Sequence, residues 1–336
     1  MRPAGSALGS PHVAGPVRGG LRAPVGPPAR SPPLVHVGIP ARPARPASHP
    51  RPQGGRRAGA SHAAHGRNPA RHLRVDEGSR LGLSFSPAAY FALWTAWLVV
   101  AIALVPYLLL RPAPYGRHSQ PGFGPVANAR LAWALMEAPS PLGMILLFFL
   151  GRGKSDALAS VFLGLWLCHY GYRAFVFPFL LPRTARPMPL LVLASGVFFN
   201  VVNVYLNGRW LFFLAEPRSL AWLASPRFLA GALLFFGGFA VHVLADRELR
   251  RQRAAARGAY VVPAGPLFRW LSCPNYFGEI VEWAGFALAT WSPGGLIFAL
   301  WTAANLVPRA IHHHRWYRQR FADYPPGRRA VLPFLL

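Results

Sequence analysis

Seven long apolar runs dominate the sequence from residue 84 onward. Each approaches the length of roughly 20 residues that an α-helix needs to cross a bilayer. The runs occupy residues 88–110, 131–150, 156–180, 188–214, 226–245, 275–291 and 294–311. Backbone groups inside a bilayer must form their hydrogen bonds within the protein, which favours helices. We therefore predict an all-α, polytopic membrane protein with seven transmembrane helices around an internal cavity, all in one domain over residues 84–336.

The first 83 residues have a different composition, rich in Pro, Gly, Ala and Arg. Segments of this kind bury too little apolar surface to offset the entropy of folding, so we predict a disordered basic tail over residues 1–83. The net charge of +26 would by itself favour nucleic acid or anionic lipid as a partner. The tail lacks the interleaved aromatic residues that stack on bases, and no nucleic acid partner is expected.

Lys and Arg residues are unevenly shared between the connections of the seven runs. The connections after the first, third, fifth and seventh runs carry many Arg residues. Those after the second, fourth and sixth runs carry only Arg152, Lys154, Arg218 and Arg227. Because positively charged connections stay in the cytoplasm, we predict a multi-pass integral membrane protein whose C-terminus and cavity entrance are cytoplasmic.

Several polar residues fall inside or beside the predicted spans at helical spacing, which places each set on one helix face. The sets are Tyr170 with Arg173, Asp246 with Arg250 and Arg253, Asn275 with Glu279 and Glu282, and His313 with Tyr317. Ionisable residues in membrane spans are rare and usually functional. Since Arg pairs bidentately with phosphate oxygens, a large phosphate-bearing anion such as a nucleotide fits a cavity lined in this way. The chain has no Rossmann or P-loop motif.

Glu137 stands apart from these sets, in the stretch WALMEAPSPL of the second run. An apolar environment favours the neutral form of a carboxyl group. A neutral acid can donate a hydrogen bond to an oxyanion that develops during a reaction. Glu137 is therefore a candidate for the chemical step, with Tyr170 as a second donor.

Three consecutive histidines, His312 to His314, resemble a metal site at first sight. Successive residues on a helix point about 100° apart, so the three rings cannot converge on one ion as metal ligands must. Cys168 and Cys273 lie in or beside apolar runs, which argues against a disulfide framework or a Cys-based metal site. We expect no metal.

The motifs, taken in order, resemble a known family. They are PYGRHSQ at 114–120, NARLAWALMEAPSP at 128–141, CHYGYRAFVFP at 168–178, a D-x-x-x-R-x-x-R run from Asp246, CPNYFGEIVEWAGFALATWS at 273–292 and HHHRWYRQRFADYPPGRRAVLPFLL at 312–336. Together they closely resemble the membrane steroid 5α-reductases, or 3-oxo-5α-steroid 4-dehydrogenases. The resemblance extends from about residue 84 to the end of the chain.

This resemblance implies a seven-helix enzyme that binds NADPH inside its bundle from the cytosolic side. It would reduce the 4,5 double bond of a 3-oxo-Δ4 steroid by hydride transfer to carbon 5. By matching position, Glu137 and Tyr170 look like the pair that holds the 3-keto oxygen, and Trp283 looks like a wall of the steroid or nicotinamide region. The cofactor positions carried over are Tyr115, Arg173, Arg186, Asp246, Arg253, Asn275, Glu279, His313 and Tyr317. The expected partners are the steroid and membrane lipid, and no obligate protein partner is evident.

Four features depart from the family pattern. His242 stands where the family often has Asn, Val261 where Arg is usual, and Phe177 where Tyr is common. The connection that leads to Arg186 is longer than in the family. These departures bear on nucleotide binding and on the preference for NADPH over NADH, and they leave the Glu137–Tyr170 pair intact.

Other functions remain open at this point. The same fold could serve an enoyl-thioester or polyprenal reductase, or an isoprenylcysteine-type methyltransferase that uses S-adenosylmethionine. A third class is a non-catalytic membrane protein that binds lipid or sterol. The Glu137–Tyr170 pair favours reduction of a keto-conjugated alkene over methyl transfer, and the density of ionisable residues in the spans disfavours a passive lipid binder.

Overall fold

In the computed structural model of the protein, residues 86–114, 118 and 124–336 are described. They belong to one compact unit, Asn68–Leu336. The tail predicted over residues 1–83 and the cofactor position Tyr115 lie outside the described residues, so both stay predictions.

The described residues form nine α-helices and two very short strands. The helices are α1 Pro87–Leu110, α2 Ala129–Glu137, α3 Pro139–Leu150, α4 Ala157–Tyr170, α5 Phe177–Leu180, α6 Leu190–Arg209, α7 Pro226–Ala255, α8 Pro274–Thr290 and α9 Pro293–Arg320. The strands β1 (Val126–Ala127) and β2 (Met188–Pro189) pair antiparallel. Short 3₁₀ segments lie at Gly153–Ser155, Leu220–Ala224 and Pro266–Phe268, and α6 ends in a π-helical segment, Trp210–Leu214. The predicted all-α class is confirmed.

Polar caps set where the apolar helices begin. The side chains of Ser86, Asn128, Asp156, Ser225 and Ser292 each accept hydrogen bonds from backbone N–H groups of the first turn that follows. Those N–H groups have no partner within the helix. Proline then follows the serine caps of α1, α7 and α9, where its missing N–H carries no penalty and its fixed φ suits a helix.

Five helical segments among the described residues are long and apolar enough to cross a membrane. They are Pro87–Leu110, Ala129–Leu150, Leu190–Leu214, Pro226–Ala255 and Pro293–Arg320. The other two predicted runs also form helices, but α4 has 14 residues and α8 has 17. The membrane character of the chain is thus supported, while the count of seven spans stays a prediction.

A π-helical segment, Gly171–Val176, joins α4 to α5 without a break in the helical path. It begins directly after Tyr170 and contains Arg173. Such segments insert an extra residue into a helical turn and are frequent at functional sites. The segment therefore determines how Arg173 is placed relative to Tyr170.

Helices α7 and α8 approach each other closely through glycine. A Cβ atom at Gly238 would meet the backbone of Glu282 and Gly278, and one at Gly278 would meet the backbone of His242. Small residues of this kind let helix backbones come into contact. The close approach brings the polar face of α7 that carries His242 against the polar face of α8 that carries Glu282.

Candidate active site

The two residues predicted for the chemical step lie at helix ends in the interior of the bundle. Glu137 is the last residue of α2, and Tyr170 is the last residue of α4. Glu137 is 8% exposed and Tyr170 is 3% exposed. The aromatic ring of Tyr170 packs against Trp166 and Trp283, with ring centroids 5.0 and 5.7 Å away. Both side chains are therefore buried, and the ring of Tyr170 lies among aromatic side chains.

Asn200, on α6, connects Glu137 to Tyr170. Its Nδ2 donates to Oε2 of Glu137 at 3.3 Å and to the carbonyl oxygen of Met136 at 2.7 Å. Its Oδ1 accepts from Ser140 Oγ at 2.8 Å and from the Tyr170 hydroxyl at 3.4 Å. The structure thus brings the predicted pair together around a buried amide that the sequence analysis missed.

One signal in the sequence pointed to Asn200. It lies in the fourth apolar run together with Asn203 and Asn207, at spacings that place all three on one helix face. All three asparagines are buried. A search of the spans for neutral amides as well as ionisable groups would have found this row.

Arg173 lies between the Glu137–Tyr170 pair and the predicted cofactor residues. Its Nε is 3.6 Å from Oε1 of Glu137, and its Nη1 is 4.0 Å from Oδ2 of Asp246. The guanidinium packs over the rings of Trp133 and Phe177, with its central carbon 4.5 and 4.7 Å from the ring centroids. Arg173 is therefore a fixed bridge between the two groups of residues.

Three predicted cofactor residues cluster where α7 meets α8. Asn275 Nδ2 donates to Oδ1 of Asp246 at 3.0 Å. Nε2 of His242 lies 3.6 Å from Oδ2 of Asp246 and 3.9 Å from Oε2 of Glu279. His242, which stands where the resembled family often has Asn, therefore joins Asp246 to Glu279.

Glu282 belongs to a buried group that shares His242 with the residues just described. Its Oε1 lies 2.8 Å from Nδ1 of His169, and its Oε2 lies 3.5 Å from Nδ1 of His242. In the described part of the chain, the ligand atoms of these three residues are close enough to be considered for a metal ion. A separation of 2.8 Å is that of a direct, charge-assisted hydrogen bond. Glu282 thus has two histidine partners inside the bundle, and neither contact was predicted from the sequence.

A cavity of about 210 Å³ opens among α7, α8, α9 and the segment around Pro112. Five predicted cofactor positions line it: Asp246, Arg253, Asn275, His313 and Tyr317. The lining also includes further basic side chains, Arg250, Arg309, His118 and His312. A cavity with so many Arg and His groups has the chemistry to receive a polyanion.

The remaining predicted positions lie at different distances from this cavity. Arg173 and Glu279 do not line the cavity. Arg173 lies 4.0 Å from Asp246 in the cavity wall, and Glu279 is joined to Asp246 through His242. Arg186 is exposed in the connection between α5 and β2 and is not part of the lining. Trp283 is buried and packs against Tyr170, His169 and Phe298.

Comparison with known proteins identifies the family of the chain. A family model described as 3-oxo-5-alpha-steroid 4-dehydrogenase matches residues 186–336. A 3-oxo-5-alpha-steroid 4-dehydrogenase 1 of Bos taurus is 40% identical over 248 residues, which cover 72% of this chain and 95% of the relative. A steroid 5-alpha-reductase of Arabidopsis thaliana is 38% identical over 229 residues, covering 66% of this chain and 87% of the relative. The chain belongs to the steroid 5-alpha-reductase family.

Two departures from the pattern of the steroid 5-alpha-reductases lie at or beside the wall of the cavity. Phe177 lines the cavity, and its ring packs against the guanidinium of Arg173. Val261 follows Tyr260, whose ring lies under the guanidinium of Arg253 at 4.5 Å. The Phe177 ring also packs against Arg250, so both departures lie next to residues that contact basic side chains of the cavity wall.

The C-terminal segment of this family member closes the bundle beside the cavity. Backbone N–H groups of Ser272 and Cys273 donate to the carbonyls of Arg329 and Ala330 at 2.8 and 3.1 Å. Ser272 Oγ also lies 2.6 Å from the hydroxyl of Tyr324. Burial raises the pKa of the Tyr324 phenol, so this hydroxyl stays neutral and able to donate. The end of the chain is thus tied to the start of α8.

Proposed function

We propose that this chain catalyses the NADPH-dependent reduction of the 4,5 double bond of 3-oxo-Δ4 steroids to 5α-dihydro steroids. The observation that carries the proposal is the meeting of Glu137 and Tyr170, from different helices, around Asn200. Arg173 links this pair to Asp246 in the wall of a basic cavity. The names of the relatives, which describe steroid 5-alpha-reductases, support the same activity.

The residues around the cavity fit NADPH by the chemistry of their side chains. Arg250, Arg253 and Arg309 offer forked donors that suit phosphate oxygens. Asp246 and Asn275 offer an acceptor and an amide for hydroxyl and carboxamide groups. When bound, NADPH supplies the hydride that is transferred to carbon 5.

Glu137 and Tyr170 would act on the other end of the reaction, at the 3-keto oxygen. In its neutral form Glu137 donates one hydrogen bond to this oxygen, and the Tyr170 hydroxyl donates a second. Both bonds strengthen as electron density moves from the double bond to the oxygen, which stabilises the enolate more than the ketone. Carbon 4 then takes up a proton that comes ultimately from water, and the product ketone is formed.

The surroundings of the pair support this chemistry. Trp166, Trp283 and Phe298 form a packed aromatic wall beside Tyr170. Apolar walls exclude water and raise the strength of each hydrogen bond to the developing oxyanion.

The proposal extends to membrane placement. The C-terminus and the cavity entrance face the cytoplasm, the protein resides in the membrane among lipids, and it needs no obligate protein partner. The orientation is supported by the Arg bias of the connections, and the membrane location by the five long apolar helices. Cysteine substitutions at Arg257 and Arg218, probed in sealed vesicles with a membrane-impermeant thiol reagent, should react from opposite sides, with Arg257 on the cytoplasmic side.

An assay with purified protein tests the activity. The protein in detergent is mixed with NADPH and testosterone, and the product is followed by mass spectrometry, with NADH in a parallel reaction. We expect a product two mass units heavier with 5α stereochemistry, formed faster with NADPH. A folded protein that binds NADPH but forms no such product would overturn the substrate assignment.

A further inference from the structure

Asn200 is bonded through both ends of its amide to the two groups proposed to act on the substrate. We infer that Asn200, held by Ser140, is a positioning residue that selects the oxygen of Glu137 that faces the substrate and allows Tyr170 to transfer its hydrogen bond to the 3-keto oxygen. This inference rests on the proposed function for its consequence in catalysis, whereas the contacts themselves do not depend on it.

The orientation of the amide follows from its neighbours. The carbonyl oxygen of Met136 can only accept a hydrogen bond, and it lies 2.7 Å from one end of the Asn200 amide. That end must be the NH₂ group, which has no acceptor capacity. The same nitrogen lies 3.3 Å from Oε2 of Glu137, so Oε2 must accept from it.

This donor decides which oxygen of Glu137 is available to a substrate. Because a carbonyl oxygen is a better acceptor than a hydroxyl oxygen, the contact to Oε2 favours a neutral Glu137 with its proton on Oε1. Nε of Arg173 is 3.6 Å from Oε1, beyond the usual length of an N–H···O hydrogen bond. Oε1 is therefore the oxygen that can turn its proton toward a ketone.

The acceptor end of the amide serves Tyr170. Oδ1 of Asn200 accepts a short hydrogen bond from Ser140 Oγ at 2.8 Å and a long one from the Tyr170 hydroxyl at 3.4 Å. A buried acceptor that loses its only donor is costly. Because Ser140 stays bonded, Tyr170 can turn to a substrate oxygen without leaving Oδ1 unpaired.

Ser140 is itself held in place. It lies in the first turn of α3, after Pro139, and its carbonyl oxygen accepts from Nε1 of Trp166 at 3.2 Å. Trp166 is fully buried in the aromatic core. The amide of Asn200 is thus supported by two further helices, α3 and α4, and is fixed before any ligand arrives, as positioning requires.

Two variants and a control test the role of the amide. Asn200→Leu removes both, and we expect kcat to fall on the order of 100-fold with the Kd for NADPH unchanged. Ser140→Ala should cause a smaller loss. Ser160→Ala, which removes an exposed hydroxyl on α4, should match the parent protein. If Asn200→Leu lowers both kcat and the affinity for NADPH, then Asn200 is merely structural. If this variant keeps the kcat of the parent protein, the inference is overturned.

Asn200→Asp gives a pH profile that a merely structural role would not produce. This change keeps the acceptor for Ser140 and Tyr170 but places a carboxylate against Oε2 of Glu137, with Arg173 on the far side of Glu137. Two carboxyl groups so close share a proton. At low pH the new carboxyl is protonated and donates to Glu137, so activity should recover as pH falls, whereas Asn200→Leu should show no recovery. Equal pH profiles for the two variants would contradict the inference.

Infrared spectroscopy tests the contact without the reaction. The carbonyl band of Glu137, assigned by its loss in Glu137→Gln, should shift in Asn200→Leu because its hydrogen-bond donor is gone. An unshifted band would overturn the inference even if steroid is reduced. If the parent protein reduces no steroid but the band shifts, the proposed function fails and the role of Asn200 in holding Glu137 stands.

Discussion

Nδ1 of His169 lies 2.8 Å from Oε1 of Glu282, and both side chains are buried in the bundle. The ring of His169 also packs against Tyr170 and Trp283, with centroids 4.9 and 4.6 Å away. Through Oε2, Glu282 reaches His242 at 3.5 Å, and His242 reaches Asp246 at 3.6 Å. A continuous row of polar groups therefore runs from the cavity wall to the side of the proposed catalytic tyrosine.

The first prediction concerns this row. Glu282→Leu should destabilise the folded protein by about 3–5 kcal/mol, because it leaves two buried histidines without their shared partner. Glu282→Gln should be milder, since the amide oxygen can still accept from His169. Thermal unfolding in detergent, followed by circular dichroism, measures both. Glu248→Gln is the control, because Glu248 pairs with the exposed Arg251 and its loss should leave the unfolding temperature nearly unchanged. A Glu282→Leu protein as stable as this control would contradict the importance of the pair.

The second prediction concerns Tyr170. Tyr170→Phe removes one donor to the 3-keto oxygen and should lower kcat on the order of 100- to 1000-fold, as loss of an oxyanion donor does elsewhere. Glu137→Gln should also lower turnover strongly, because an amide is a weaker donor than a neutral acid. In both variants the Kd for NADPH, measured by quenching of tryptophan fluorescence, should stay near that of the parent. Loss of NADPH binding in Glu137→Gln would instead assign Glu137 to the cofactor site.

The third prediction concerns the basic wall of the cavity. Arg253→Ala should raise KM for NADPH roughly 10- to 100-fold, because a charge-assisted hydrogen bond is worth about 1.5–3 kcal/mol. The steroid KM should change little. Arg251→Ala provides a matched control on the same helix, since Arg251 is exposed and does not line the cavity. Equal effects of the two changes on the NADPH KM would mean that Arg253 acts only through net charge.

The helices of this fold were predictable because the length and composition of each apolar run can be seen in the local sequence. The contacts between helices were not predictable in this way. His169 and Glu282 are 113 residues apart, and Asn200 and Glu137 are 63 apart. Helical spacing shows which residues share a face, but it does not show which faces meet. The polar sets on α7 and α8 meet in the structure because these helices approach each other closely at Gly238 and Gly278.

Neutral amides escaped notice for a different reason. A charge in an apolar run is conspicuous because it is costly in lipid, whereas asparagine is tolerated once hydrogen-bonded. Asn200 therefore resembled an ordinary helix-packing residue until its four partners were seen. The π-helical segment after Tyr170 was equally hidden, since no local sequence pattern distinguishes it from a continuous α-helix.

The fourth prediction tests how close packing of α7 and α8 builds the polar row. Gly238→Ala would place a Cβ atom against the backbone of Glu282 and Gly278, which cannot move aside as a side chain can. The helices must separate, so we expect a loss of about 1–3 kcal/mol in stability together with weaker NADPH binding, because Asn275 would move away from Asp246. Gly237→Ala is the matched control, since a Cβ there meets nothing within 4 Å, and it should be neutral or slightly stabilising. If both alanine variants unfold at the parental temperature and bind NADPH equally well, then the polar contacts between the helices do not depend on this glycine.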